Sequence, residues 1–214
     1  MRAVNQARIG RAFAAVIVVA VMVTVVVTSG GCHTPLPKYD YAQEPDPTHG
    51  EIMLGVGDTI AINVWENANL NTEATIRADG KITMPLIGDI RAVDQTPTSL
   101  KELIKAQVQK FVKLPTGNEV TVAIRSWKSY RFTIQGEVGH SGVFTYEKYV
   151  TVSEALALAG GLTKFAKRSE VQLTRTDPKT GKARHIPFDY DLIASGQRPD
   201  MDIYVLPGDA IWVP

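Results

Sequence analysis

From Thr59 onward the chain switches between two periods, and the order of the switches restricts the architectures open to it. Ile60, Ile62 and Val64 alternate with Thr59, Ala61 and Asn63, the period of a half-buried strand, which opens at a Gly57-Asp58 turn. Residues 75–77 and 81–83 flank Asp79-Gly80, a two-residue connection that favours positive φ and predicts a hairpin, with Pro85 and Gly88 ending its ladder. Thr96-Pro97 opens a 3.6-residue stripe of Leu100, Leu103, Ile104, Val108 and Phe111, a helix with one buried face that stops before Pro115. Val120, Val122 and Ile124 predict another strand, as do Tyr130, Phe132 and Ile134, and Gly136, Gly139 and Gly142 bound a turn. Thr151-Val-Ser-Glu154 is a capping box before a short apolar helix that ends at Gly160-Gly161. Residues 171–176 and 184–188 flank a second hairpin turn, and 203–206 and 210–213 read as the last strands. Strands interrupted twice by a single helix imply an α+β fold of two small mixed domains, 51–126 and 127–214.

The segment before these domains is of another kind. Arg2, Arg8 and Arg11 precede an unbroken run of 17 apolar and small residues from Ala12 to Thr28, followed by Ser29-Gly30-Gly31-Cys32. A positive start, an apolar stretch and a small-residue site are the parts of a secretory signal, so residues 1–31 read as a signal peptide. The run also lies at the lower edge of the roughly 17–25 residues that span a bilayer, which leaves an uncleaved anchor as the alternative. Residues 32–50, with four prolines and no apolar periodicity, read as a flexible tether. Formal charge is +1 over 214 residues, and the three early arginines make the remainder slightly acidic, so a broad nucleic-acid footprint is missing and no nucleic-acid partner is expected. One cysteine rules out an intrachain disulfide framework and a cysteine-cluster metal site.

The small residues before Cys32 resemble the lipobox of bacterial lipoproteins, although Ser29 stands where that family usually has leucine. The resemblance implies acylation of Cys32, and His33 after it, rather than aspartate, implies sorting to the outer membrane. At about 0.8 kcal/mol per buried CH₂, one acyl chain holds marginally and three hold permanently.

The body resembles the Wza-like outer-membrane polysaccharide export family. Leu54-Gly-Val-Gly57-Asp58, Val64-Trp65 and Ile76-Arg77-Ala-Asp79-Gly80 through Pro85 and Gly88-Asp89 are similar to its export signature. Ile134-Gln-Gly136, Gly142, Thr151 to Leu156, Ala159-Gly160-Gly161-Leu and Leu206-Pro-Gly208-Asp209 are similar to its soluble-ligand-binding β-grasp (SLBB) pattern. Gly57, Asp58, Arg77, Asp79, Gly80, Pro85 and Gly88 in the first set, and Gly136, Gly142, Gly160, Gly161, Gly208 and Asp209 in the second, are expected to set scaffold geometry rather than hold polymer. Gly57-Asp58 and Gly208-Asp209 look like one turn device used twice.

The residues show no nucleophile elbow, metalloprotease helix or phosphate loop, so a non-enzyme without cofactor or metal is expected. His33, His49, His140 and His185 lack ligand spacing. Asp189 with Asp191, and Asp200 with Asp202, are spaced to put two carboxylates on one strand face, as a glycosidase pair needs, but they fall in turn-like sequence. Trp65 and Trp127 are the candidate sugar contacts; like Trp212, each borders a strand, where a core role is the simpler one.

The resemblance implies an oligomeric ring that receives polysaccharide from an inner-membrane co-polymerase. Family members continue into a helix that crosses the outer membrane, and 33–214 offers no stretch of the roughly 20 residues this needs. A lipid-anchored periplasmic ring docked to a separate outer-membrane β-barrel is therefore expected. The alternative is an SLBB lipoprotein that binds a ligand or scaffolds a complex without conducting polymer.

Overall fold

The structure, a computed structural model, describes residues 38–115, 119–177 and 180–214. Cys32, the signal segment and His33 lie outside the described residues. The strands are β1 (Thr59–Val64), β2 (Thr72–Thr75), β3 (Lys81–Met84), β4 (Gly88–Arg91), β5 (Val120–Ser126), β6 (Arg131–Gly136), β7 (Gly142–Thr145), β8 (Val171–Thr176), β9 (Ala183–Phe188) and β10 (Ala210–Val213), and the helices are α1 (Pro97–Val108), α2 (Val152–Leu158) and α3 (Tyr190–Ala194). They form a three-stranded antiparallel sheet β2-β1-β5, a separate β3-β4 hairpin and a five-stranded sheet β7-β6-β10-β8-β9. The fold is thus α+β, with one set of elements on either side of residue 127.

Each half has its own core. In the first, Ile60, Ile62 and Val64 of β1 meet Leu100, Ile104 and Val108 of α1. Thr96 caps α1 by accepting from the Ser99 N–H, while the Ser99 hydroxyl accepts from the Thr96 N–H, so two donors left over at the helix start are satisfied. The buried stripe is narrower than the sequence implied: Leu103 and Phe111 are exposed, and α1 ends at Val108, before Phe111. In the second half, β6 and β10 run parallel at the sheet centre, and Val152, Ala155 and Leu156 of α2 join their Ile134 and Ile211 in one core. The Thr151–Glu154 capping box forms as expected.

Three further expectations, on strand pairing and turns, need correction. Asp79-Gly80 does not close a ladder between 75–77 and 81–83. Ile76 stays bonded to the Gly57-Asp58 turn, and β3 pairs instead with β4, around a reversal at 85–88 where Leu86 and Gly88 both have positive φ. Residues 203–206 make one isolated bridge, Thr151 to Tyr204, because the Leu206 N–H is taken by Asp209. The turn-like Asp189-Asp191 stretch is α3, with Asp189 accepting the N–H groups of Asp191 and Leu192.

Residues 38–50, read as tether, pack against the second half. Tyr41 is buried beside Phe188 and donates its hydroxyl to the Pro187 carbonyl. The Glu44 side chain is 1% exposed and bonds Arg175 and Arg184. Two short 3₁₀ turns, capped by Asp40 and Asp46, hold the path. The composition that suggested a spacer is here a strap: prolines fix the backbone while one aromatic and one carboxylate supply the contacts.

Candidate functional site

Of the export-signature residues, Arg77, Asp79, Gly80, Pro85 and Gly88 lie at the β3-β4 arm, apart from Gly57 and Asp58. Arg77 donates from Nε and Nη2 to Asp79 at 3.1 and 2.7 Å, and from Nη1 and Nη2 to Asp89 at 3.2 and 2.8 Å. Its Nη1 also reaches the Thr83 hydroxyl, which itself donates to Asp89 at 2.6 Å. Bonding to Arg77, then to Thr83, holds the Asp89 carboxyl down at about 2, and Arg77 likewise lowers Asp79. The two carboxylates hold the guanidinium further above its ordinary value. The cluster is solvent-exposed and sets two carboxylates against one guanidinium, so it stiffens the arm rather than presenting a free cation.

Gly57-Asp58 and Gly208-Asp209 do build the same turn. Gly57 has φ +93° and Gly208 +87°, and each following aspartate is buried and accepts through Oδ2 the N–H three residues back, Gly55 at 2.8 Å and Leu206 at 2.7 Å. Asp58 also accepts the Ser129 N–H and hydroxyl, both at 2.7 Å, and so pins the start of the second half to the first. Gly55 completes that junction, since a Cβ there would lie 2.3 Å from the Ser129 Cβ. Asp209 takes Arg175 instead, which also bonds Glu44 and the Tyr204 carbonyl. Burial raises the Asp209 pKa, against the opposing pull of Arg175 and the Leu206 N–H.

Of the other glycines named from the sequence, Gly80, Gly88, Gly136, Gly160 and Gly161 have positive φ, whereas Gly142 does not and simply opens β7. Gly136 is the most constrained: a Cβ would sit 1.9 Å from the Val213 carbonyl oxygen of β10. Pro85 begins the β3-β4 reversal.

The tryptophans separate sharply. Trp127 is 7% exposed, stacked on Tyr130 and met edge-on by Tyr149, so its ring belongs to the core and offers no face to a sugar. Trp65 is 66% exposed and borders an open cleft of about 430 Å³ lined also by Asn63, Glu66, Asn71, Glu119 and Thr121. Asn63 and Thr121 are paired neighbours on β1 and β5. The backbone at Trp65 is fixed by its N–H to the Glu119 carbonyl at 2.8 Å, and Asn67 donates to its carbonyl. Glu66, a non-glycine residue, has φ +58°.

The carboxylate pairs serve the scaffold: Asp189 caps α3, Asp191 binds Arg168, Asp200 binds Arg198, and Asp202 accepts the Ser153 N–H and hydroxyl. His49 sits by Asp46, His185 bonds Thr174, and His140 lies beside Gly160. Among the described residues there is no group of three or more His, Cys, Asp or Glu placed to hold a metal, and no helix long and apolar enough to cross a membrane. Sequence reasoning missed Arg175 and Glu44, whose only signal was a charged residue at an inward strand position and another within a proline-rich segment.

The two halves correspond to two known domains. Residues 46–125 match the polysaccharide biosynthesis/export protein family, and residues 131–187 match the SLBB domain. The chain thus carries a match to each of these two domains, in that order. Among its relatives is the capsule polysaccharide export outer membrane protein CtrA of Neisseria meningitidis, 27% identical over 187 residues, covering 74% of this chain and 43% of CtrA of serogroup A. Another is the exopolysaccharide production protein ExoF of Rhizobium meliloti, 27% identical over 124 residues, covering 53% of this chain and 29% of ExoF. The chain therefore aligns with less than half the length of these curated relatives. Both relatives are named for polysaccharide export or production rather than for a catalysed reaction.

Proposed function

We propose that this protein is a lipid-anchored component of a capsular or exopolysaccharide export machine, held at the outer membrane by acylated Cys32 and facing the periplasm. Copies of the chain form a ring through which polymer passes from an inner-membrane co-polymerase toward an outer-membrane β-barrel. It works as a conduit element, not as an enzyme. The observation that carries the reading is the ordered pair of export and SLBB domains, supported by the likeness to relatives named for capsule export and exopolysaccharide production. The Asp58–Ser129 junction supports it physically, because a ring subunit has to transmit contacts between neighbours through a stiff body, and a closed ring uses the same head-to-tail contact throughout. The conduit has to bind polymer weakly, or transport stalls.

Deletion in the producing organism is the test. Loss of surface polymer, with polymer retained inside the cell, is expected; normal surface polymer overturns export. Labelled palmitate is expected in the wild type and absent from Cys32→Ala, and label in that variant overturns the anchor.

A further inference from the structure

We propose that the cleft beside Trp65 is a weak saccharide subsite that takes an uncharged or amine-bearing sugar of the transported polymer. The inference deepens the export reading and rests on it for the identity of the polymer, but the site itself is argued from its own chemistry.

A tryptophan that leaves two thirds of its surface in water needs a reason, because its ring carries a large apolar payload. Trp65 is not a folding residue: the first core closes on Val64, one position earlier, which points inward. No described ring or cation stacks on Trp65, whereas Trp127 in the second half is enclosed by Tyr130 and Tyr149. An open indole face is the surface that the axial C–H patch of a pyranose covers. Hydroxyls around such a ring need fixed polar partners, and Asn63, Asn71, Glu66 and Thr121 line the same cleft. The Asn71 Oδ1 is held by the Val64 N–H at 2.8 Å, which fixes the amide in place and leaves its NH₂ group to donate. The cleft, about 430 Å³, falls within the roughly 300–1,000 Å³ of small-ligand sites.

Charge sets the class of sugar. The acidic lining residues are Glu66 and Glu119, and the Glu119 carboxylate is matched by Lys105 at 3.0 Å. Glu66 has no cationic partner among the described residues. A uronate or other anionic sugar placed on Trp65 would meet that carboxylate, while a neutral hydroxyl or an ammonium group would be accepted by it. Glu66 is also held at positive φ, an unfavourable backbone for a side chain of its size; such outliers persist where the surroundings enforce them, often at ligand sites. An open, one-ring contact of this kind gives weak affinity, as passage of a polymer requires.

The test uses the full chain in detergent and ligand-observed saturation-transfer NMR with three probes: dextran oligosaccharide, chitosan oligosaccharide and oligogalacturonate. Saturable millimolar binding of dextran or chitosan oligosaccharide is expected, with oligogalacturonate about tenfold weaker or worse. Trp65→Ala is expected to abolish it, Trp212→Ala, at the other exposed tryptophan, to leave it intact, and Glu66→Gln to remove the discrimination against oligogalacturonate. Absence of saturable binding for all three probes, unchanged binding by Trp65→Ala, or strongest binding of oligogalacturonate overturns the proposal. A change in oligomer size with Trp65→Ala, without loss of probe binding, also overturns it and assigns the ring to a subunit contact. Export is read separately: if deletion abolishes surface polymer while Trp65→Ala restores it fully and no probe binds, the subsite falls and export stands. If probes bind through Trp65 but deletion leaves surface polymer normal, export falls and the subsite stands.

Discussion

The turns at Asp58 and Asp209 share a backbone and differ in what they fasten. Each places a buried carboxylate after a glycine of positive φ and satisfies it first with an N–H three residues back. Asp58 then spends its remaining acceptor capacity on the N–H and hydroxyl of Ser129, which are neutral donors of the neighbouring domain. Asp209 accepts a guanidinium, and through Arg175 ties β8 and the N-terminal strap into one network. The pair teaches that the Gly-Asp motif specifies a preorganised acceptor, and that the partner, read nowhere in the motif itself, decides whether it joins domains or anchors a segment.

The largest effect that would break this symmetry is expected on the charged side. Arg175→Met leaves Asp209 buried without its cation and Glu44 with Arg184 alone, and should cost about 3–5 kcal/mol, seen as a lower urea midpoint. Replacing all three members by apolar residues should recover much of that loss, since a buried ion network repays little of its own desolvation. Asp58→Ala, which strands three donors, should cost about 2–4 kcal/mol and resolve unfolding into two steps, with amide exchange at Ile62 and Ile104 reporting the first domain and at Ile134 and Leu173 the second. Gly55→Ala should give the same splitting at about 1–3 kcal/mol by pushing Ser129 away without touching the carboxylate.

A smaller effect sharpens the picture within the second domain. The Tyr130 hydroxyl donates to the Val205 carbonyl and accepts from the Val150 N–H, and burial pushes its pKa up to about 12. The unfolded chain ionises near the ordinary tyrosine value of 10.0 while the folded one keeps its proton, so stability is full below about pH 10 and is lost as pH rises toward 12. Tyr130→Phe should lower the midpoint at pH 8 by about 1–2 kcal/mol and flatten this alkaline loss, measured by urea unfolding across pH. The smallest effect belongs to the exposed arm. Asp89 has its pKa depressed to about 2, so its contribution is present above the ordinary carboxylate value of 3.8 and fades as pH falls toward 2. Asp89→Asn should leave the midpoint at pH 7 nearly unchanged while loosening the arm, read as faster amide exchange at Thr83 and Ile90.

Elements whose stabilising contacts lie close in the chain were legible from sequence. Thr96 and Thr151 announce their helices because a cap and its partner are three residues apart, and the period of β1 shows in its alternation. The phase of that alternation also carried more than was read from it: with Val64 inward, Trp65 has to point out, which singles it from Trp127, where the break before Tyr130 resets the phase. Pairing choices were less legible. That β3 takes β4 depends on Ile76 being held by the distant Gly57-Asp58 turn, and that residues 38–50 are packed depends on Glu44 meeting Arg175 across 131 positions. Neither contact leaves a local pattern.

The place of β10 has a consequence for how the protein comes into being. Wedged between β6 and β8, it is the bridge without which the second domain is two unjoined hairpins. A polypeptide made from its N-terminus cannot zip that sheet until residues 210–213 have emerged, and Gly136 must leave its notch open for the Val213 carbonyl throughout. The two hairpins of the second domain thereby stay unjoined until that strand is made, while the first domain, with a core of its own, is free to close before it.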